Sequence, residues 1–290
     1  MFSIKKVYFI APSFSAPQEE VDIARKYLNS FGVDVILSAG LISPYLFYAN
    51  TDELRAHYLK QALEDPNIDA IWIIAGGYGA SRIVSYLADM PQPKKKKLLI
   101  GFSDSTVLHL FLNQAWNWPS IHGPTIRQVA MKAIGQKSIE CVSNLVKGGA
   151  FSYLTLRPLN SFANHSFLEG IIIGGNLTTV ASGIGTFWQI RPKNKIIFLE
   201  EVDERGYKLD RMLTHLKQAH IFEEAKAIIL GDFIGSREKD GSTYVDKVIN
   251  EFIDQMRLPV YHLPHAGHGD ENFPFPLNMP VKLRVLMDGK

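Results

Sequence analysis

The chain of 290 residues holds a single cysteine, Cys141. One thiol permits neither an intrachain disulfide nor a cysteine-based metal site, and it suits a reducing compartment. No glycine-rich turn surrounds Cys141, so it reads as a packed thiol rather than a nucleophile. A surplus of one charge is missing as well. Lys and Arg number 31 against 29 Asp and Glu, a net charge of +2, which gives no ground for a nucleic-acid partner. The one basic run, Lys94–Lys97, lies between Pro93 and a predicted strand and reads as a solvated loop. No apolar run approaches the roughly 20 residues that a membrane span takes. The first ten residues lack a basic segment, a long apolar stretch and a small-residue cleavage site. The expectation is a soluble cytoplasmic protein with no membrane partner.

Several ligand signatures are also lacking. Gly-x-x-x-x-Gly-Lys-Ser/Thr does not occur. Gly77-Tyr-Gly79-Ala-Ser-Arg82 begins like a dinucleotide loop but puts Arg82 where the third glycine is needed for close helix packing. The nine histidines include no His-x-x-x-His with a neighbouring Glu. His262, His265 and His268 are close together, yet Pro264, Gly267 and Gly269 make their segment a loop without the carboxylate spacing of a zinc site. No cofactor and no metal is expected. Solenoid repeats and low-complexity tracts are likewise missing.

What the sequence does have is apolar residues, 46 % of the chain, enough for a large core. They fall into alternating strand-like and helix-like stretches. Val7–Ala11 reads as a buried strand. Residues 18–31 place Val21, Ala24, Leu28 and Phe31 at helical spacing, with Gly32 as the stop. Val33–Leu37 follows as a strand. Thr51-Asp52-Glu53 then opens a helix, Thr51 as cap and the two acids in the positive first turn. Ala70–Ala75 and Leu98–Phe102 carry no polar alternation, as expected of parallel strands covered on both faces. Gly76–Gly79 and a short helix carrying Arg82 follow the first of these, and a helix over Thr106–Trp116 follows the second.

The alternation predicts an open, doubly wound, mostly parallel α/β sheet over residues 1–148. A linker is expected over 149–165, where the pattern weakens. A second α/β domain is expected over 166–290. It would hold strands at Ile171–Ile173, Ile196–Leu199, Ala227–Gly231, Val260–Leu263 and Val281–Met287, and helices at Asp210–Ala219 and 245–256.

In such sheets ligands bind at the carboxyl ends of the strands, where the turns 76–79 and 101–105 fall. Leu98-Leu99-Ile100-Gly101-Phe102-Ser103 reads as strand, tight turn and helix start. A serine on that turn projects its hydroxyl above the sheet edge, beside the unsatisfied N–H groups of a helix N-terminus. Those are the makings of a nucleophile and part of an oxyanion hole. Ser103 and Ser105 are equally suited to capping the helix. Ser105 also stands where the general elbow pattern has its second glycine.

A nucleophilic serine needs a base, and an acid to orient that base. The best acids are Glu200 and Glu201, directly after a buried strand. Neighbouring strand residues face opposite ways, so the two would not share a role; a solvated turn is the plain alternative. His268, flanked by Gly267 and Gly269, is the best base. His122 is a second candidate, and His109 should face away from Ser103.

Together these motifs resemble the LD-carboxypeptidase family, serine peptidases of peptidoglycan recycling that also include the microcin C immunity peptidases. Five segments carry the resemblance, in order. They are Tyr48–Arg55; Asp65–Ala70 leading into Gly76–Arg82; Gly101–Thr106 with His122-Gly-Pro124; Gly174–Leu177 through Leu199–Glu204 and Asp210-Arg211; and Gly267-His268 followed by Pro276-Leu277.

The resemblance implies Ser103 as nucleophile, Glu200 as the acid that orients the base, and His268 as the base. It implies an oxyanion hole from the backbone N–H groups of Gly77 and Asp104. It also implies a murein peptide substrate, cut between the L-centre of meso-diaminopimelate and the terminal D-alanine, and a homodimer. Arg82 becomes a candidate clamp for a substrate carboxylate, with a helix-surface ion pair as the alternative. Asn176 becomes a candidate substrate contact. One departure is Ala75, where relatives would have a polar or basic residue before the glycine pair. Two other readings stand beside this one: cleavage of an aminoacyl-nucleotide toxin on the same fold, and a non-enzymatic small-molecule binding module.

Overall fold

A computed structural model describes residues 3–151, 153–235, 237–238 and 240–286. Met1 and Phe2, part of the N-terminal reading, and Met287, at the end of the last predicted strand, lie outside the described residues. The chain divides into two compact units after residue 151, and residues 272–275 return to the first unit.

The first unit runs β1 (Lys6–Ile10), α1 (Gln18–Asn29), β2 (Asp34–Ile36), α2 (Asp52–Glu64), β3 (Ala70–Ile73), α3 (Ala80–Ile83), α4 (Ser85–Ala88) and β4 (Leu98–Gly101). A single 3-10 turn over Ser103–Ser105 leads into α5 (Thr106–Ala115), β5 (Ser120–His122), α6 (Ile126–Ala130) and α7 (Gln136–Val146). The strands lie in the order β5-β4-β3-β1-β2, all paired in parallel. This is the doubly wound arrangement expected. Every residue of β3 and β4 is buried, as parallel strands with helices on both faces require. On α1, Val21, Ala24 and Leu28 are buried, and Thr51 caps α2 by accepting from the Leu54 N–H at 3.4 Å. Trp72 of β3 is fully buried and donates its indole N–H to the Pro124 carbonyl at 3.1 Å.

One feature of this unit departs from the sequence reading. Lys97 is no solvated loop residue: it is buried, and its ammonium donates to the Leu63 carbonyl. That carbonyl lies in the last turn of α2, where the helix dipole favours a cation. Lys95 pairs with Asp69 at 2.9 Å.

The second unit comprises β6 (Thr155–Pro158), β7 (Phe167–Asn176), α8 (Leu177–Ser182), β8 (Ile196–Val202), α9 (Gly206–Gln218), β9 (Ala227–Ile234), α10 (Val245–Gln255), β10 (Val260–His262) and β12 (Pro280–Val285). The short β11 (Phe275–Leu277) precedes β12. Six strands close into a barrel in the order β10-β6-β12-β7-β8-β9. The pairs β7–β8, β8–β9 and β9–β10 are parallel, as the alternation predicted. The closing pairs are mixed: β12 runs antiparallel to β7 and β10 antiparallel to β6, while β12 and β6 are parallel. The stretch 149–165 is therefore more than a linker, since it contains β6. This strand is four residues long, and its partners are far off in the chain, so no local pattern marks it.

The barrel depends on close backbone approach. Gly174 of β7 has φ +119°, and a Cβ there would sit 2.2 Å from the Phe198 carbonyl oxygen of β8. Gly185 also has a positive φ, +83°, but open space around it. Gly174→Ala should therefore destabilise the protein by about 2–4 kcal/mol and Gly185→Ala by about 1 kcal/mol. Urea midpoints of the two variants measure the difference, and equal losses would contradict the packing described.

Candidate active site

In the first unit β4 ends on Gly101, Phe102 is extended, and Ser103 takes the left-handed conformation with φ 62°. A non-glycine residue in that region is strained and needs support from its surroundings. The support comes from below. The Ser105 hydroxyl donates to the Phe102 carbonyl at 2.8 Å, and His109 Nε2–H donates to the Gly101 carbonyl at 2.9 Å. Complete burial lowers the His109 pKa to about 4, so the ring is a neutral support and no candidate base.

Gly101 has to be glycine, because a Cβ would lie 2.4 Å from Ile73 Cγ1 and 2.9 Å from Ser105 Oγ. The Ser103 side chain lies against the second glycine turn: its Cβ and Oγ are each 3.3 Å from where a Gly76 Cβ would be. Gly77 follows with φ +113°, its Cβ space filled by the Phe14 ring. Ser103, Gly77 and Asp104, all singled out in the sequence, are thus brought together within this unit.

That turn is clamped by two buried charges. The Asp104 carboxylate accepts from the Ser13 hydroxyl at 2.6 Å and from the Ala80 N–H at 2.8 Å. Burial pushes its pKa up, while those hydrogen bonds favour the anion. Arg55 donates through Nη1 to the Gly79 carbonyl at 3.0 Å and to the Pro12 carbonyl, and through Nε to the Asn50 carbonyl at 3.1 Å. From the sequence, Asp104 is expected to act through its backbone N–H alone, and no role is expected of Arg55. A charged residue in a helix with a polar outer face carries no mark that it will be buried.

Arg82 forms the ion pair given as the alternative to a substrate clamp. Its Nε and Nη2 lie 2.8 and 2.6 Å from Asp52 Oδ2. The Arg82 hydrogen bond is the main reason the Asp52 pKa is lowered. His122 is fully buried within the unit, stacked on Phe275 with ring centroids 4.8 Å apart. That position removes it as an accessible base.

In the second unit the register of β7 with β8 sets Asn176 opposite Glu200. A bulge between Leu199 and Glu201 breaks the pairing with β9 and lets two consecutive acids both be buried. They are not solvated turn residues, and they do have separate roles. Glu201 accepts from the Asn176 amide at 2.8 Å and from the Thr178 N–H at 2.7 Å, at the start of α8. The Asn176 Oδ1 accepts from the Thr179 N–H at 3.1 Å. Asn176 therefore caps a helix and ties it to β8.

Glu200 and His268 meet as expected: His268 Nδ1–H donates to Glu200 Oε2 at 2.7 Å. Gly267 has φ +131°, and a Cβ there would be 2.8 Å from Glu200 Oε2, so only glycine lets the two approach. Burial pushes the Glu200 pKa up. Burial, the largest single influence, would lower that of His268, but the Glu200 charge and hydrogen bond, with the charges of Glu201 and Asp203, together outweigh it and the net shift is upward. His262 goes elsewhere, 3.7 Å from Asp232.

The direction for His268 has a sign that can be checked. A histidine whose folded pKa is raised stabilises the fold fully below its ordinary value of 6.5, and that contribution fades as pH climbs through the folded pKa. The His268 ring should titrate above 6.5 in an NMR pH series. Glu200→Gln removes the charge and leaves burial, so the midpoint should fall. An unchanged midpoint in Glu200→Gln would remove Glu200 as its cause.

Comparison with known proteins agrees with these elements. Residues 7–123 match the LD-carboxypeptidase N-terminal domain and residues 169–283 the LD-carboxypeptidase C-terminal domain. A carboxypeptidase-named protein of Rickettsia conorii is 40 % identical over 94 % of this chain and 86 % of its own length. The murein tetrapeptide carboxypeptidase of Pseudomonas aeruginosa is 30 % identical over 93 % of this chain and 90 % of its own. The crystal structure of a muramoyltetrapeptide carboxypeptidase from Oxalobacter formigenes superposes with a TM-score of 0.79 at 25 % identity, covering 97 % of this chain and 95 % of that one. The chain belongs to the LD-carboxypeptidase family, and it is a peptidase.

Proposed function

We propose that the chain is a serine peptidase that removes the terminal D-alanine from murein tetrapeptides by cutting the L,D amide bond to meso-diaminopimelate. The observation that carries this reading is the buried 2.7 Å hydrogen bond from His268 Nδ1 to Glu200. It fixes the tautomer and leaves Nε2 as the ring's basic nitrogen. Ser103, strained on its turn beside Gly76, is the nucleophile that such a base serves.

In this mechanism His268 Nε2 takes the Ser103 proton as Oγ bonds to the scissile carbonyl carbon. The N–H groups of Gly77 and Asp104 stabilise the oxyanion. The imidazolium then protonates the departing D-alanine amine as the C–N bond breaks. Water, deprotonated by the same ring, releases the acyl group and restores the serine. Glu200 stabilises the imidazolium throughout. The protein would act in the cytoplasm as a homodimer; the single cysteine suits a reducing compartment, and the family resemblance supports the homodimer.

Purified protein should release D-alanine from a murein tetrapeptide. Ser103→Ala should lower kcat/KM by about 10⁴-fold or more with an unchanged urea midpoint. Turnover retained in Ser103→Ala would overturn the nucleophile. Hydrolysis of an aminoacyl-nucleotide with no D-alanine release would replace the substrate by that of the microcin C immunity type.

A further inference from the structure

The two N–H groups assigned to the oxyanion stand on different segments, Gly77 on the turn after β3 and Asp104 on the elbow after β4. Neither strand fixes the distance between them. β3 stops at Ile73 and β4 at Gly101, and both donors lie on the turns beyond. Gly77 has φ +113°, and glycine leaves its own turn soft. A donor of this kind stabilises a transition state only if it is in place before the charge develops. Something other than the sheet must therefore hold one turn against the other.

The Asp104 side chain makes that connection. An acid at the start of a helix commonly caps it, but neither the 3-10 turn nor α5 has a side-chain cap. Instead Asp104 Oδ2 accepts from the Ala80 N–H at 2.8 Å, a bond from the elbow across to the glycine turn. The same oxygen accepts from the Ser13 hydroxyl at 2.6 Å, from the loop after β1. The Gly79 N–H favours the same anion. Ser13 is itself held: it is fully buried, and its carbonyl accepts from the Ala49 N–H at 2.9 Å. Its neighbour Phe14 donates its N–H to the Gly76 carbonyl at 3.2 Å.

One carboxylate thus ties together three loops at the carboxyl edge of the sheet, 12–14, 76–80 and 103–105. The residue whose backbone N–H is one donor carries the side chain that holds the turn bearing the other. Asp104 is buried, and both of its hydrogen bonds lie inside the fold, so the carboxylate is not offered to substrate. Asparagine would keep its volume and its backbone N–H. It has one accepting oxygen where aspartate has two, and no charge, so the N–H and O–H groups that now share the carboxylate would compete for it.

We propose that the Asp104 carboxylate is a positioning residue of the oxyanion hole, setting the Gly77 N–H against the Asp104 N–H, and that Ser13 acts through it. The proposal deepens the reading of Ser103 as nucleophile and rests on it. A fluorophosphonate tests it without a peptide: Ser103 Oγ displaces fluoride from phosphorus, and the phosphoryl oxygen takes up charge in the hole. Intact-mass measurement gives the rate of labelling, which reports the hole, and its endpoint, which reports the fraction of folded protein. Asp104→Asn should label to the full endpoint about 100-fold more slowly. Its kcat for D-alanine release should fall in step, with KM changed by less than about twofold. Ser13→Ala should label about tenfold more slowly, and the double variant no more slowly than Asp104→Asn alone. An unchanged rate in Asp104→Asn, or a loss confined to the endpoint, overturns the proposal. Additive losses in the double variant overturn the part given to Ser13. Should Asp104→Asn fail to fold, Ser13→Ala decides alone, and an unchanged rate there overturns the proposal. Labelling that slows as expected in a protein releasing no D-alanine keeps the positioning role and refutes the murein substrate. No labelling of the unmodified protein refutes the serine and the proposal with it.

Discussion

A carboxylate removed from water must be met by hydrogen bonds or by a countercharge, or burial costs more than the fold has to spare. Asp104, Glu200 and Glu201 are all buried at the carboxyl ends of strands, and the local structure answers each of them. Asp104 is met by the Ser13 hydroxyl and the Ala80 N–H. Glu201 is met by Asn176 and by the first turn of α8. Glu200 is met by His268. These contacts join segments far apart in sequence, 91 residues for Ser13–Asp104 and 68 for Glu200–His268. Each therefore fixes a turn or loop that the strand ends alone would leave free.

Glycine serves the same requirement from the other side. A carboxylate can be met by a backbone or ring only where no Cβ intervenes. Gly267 admits Glu200. Gly79 leaves room for Arg55, since a Cβ there would be 2.5 Å from Nη1. Gly76 leaves room for the Ser103 side chain. The glycines that read as turn punctuation in the sequence are thus the points where a charged or reactive side chain comes within touching distance of the main chain.

The parts legible in the sequence were those written in local pattern. The wholly apolar β3 and β4 announced a covered parallel sheet, and Thr51, Gly32 and the Val21, Ala24, Leu28 spacing announced helix ends and faces. Glycine around Ser103 and His268 pointed to two of the side chains of the proposed mechanism. The closed barrel was not legible, because β6 and β12 join it through partners far off in the chain. Arg55, Glu201 and Lys97 were not legible for another reason. Burial of a charge is decided by which acceptors the fold brings to it, and composition or periodicity holds no record of that.

The serine in place of the second elbow glycine follows from the same reasoning. A glycine is called for after the nucleophile when the helix must pack tightly on the strand that precedes it. Here the tight contact is met by Gly101, whose absent Cβ admits both Ile73 and the Ser105 hydroxyl. Position 105 is then free to carry a side chain, and a small one with a donor fits. The Ser105 hydroxyl donates to the Phe102 carbonyl at 2.8 Å, and the Ser105 N–H donates to the same carbonyl at 3.3 Å. His109 takes the Gly101 carbonyl in the same way, one turn further along α5. A left-handed Ser103 is thereby held by hydrogen bonds to the two residues before it. Glycine at 105 would add freedom to the one turn that has to stay rigid.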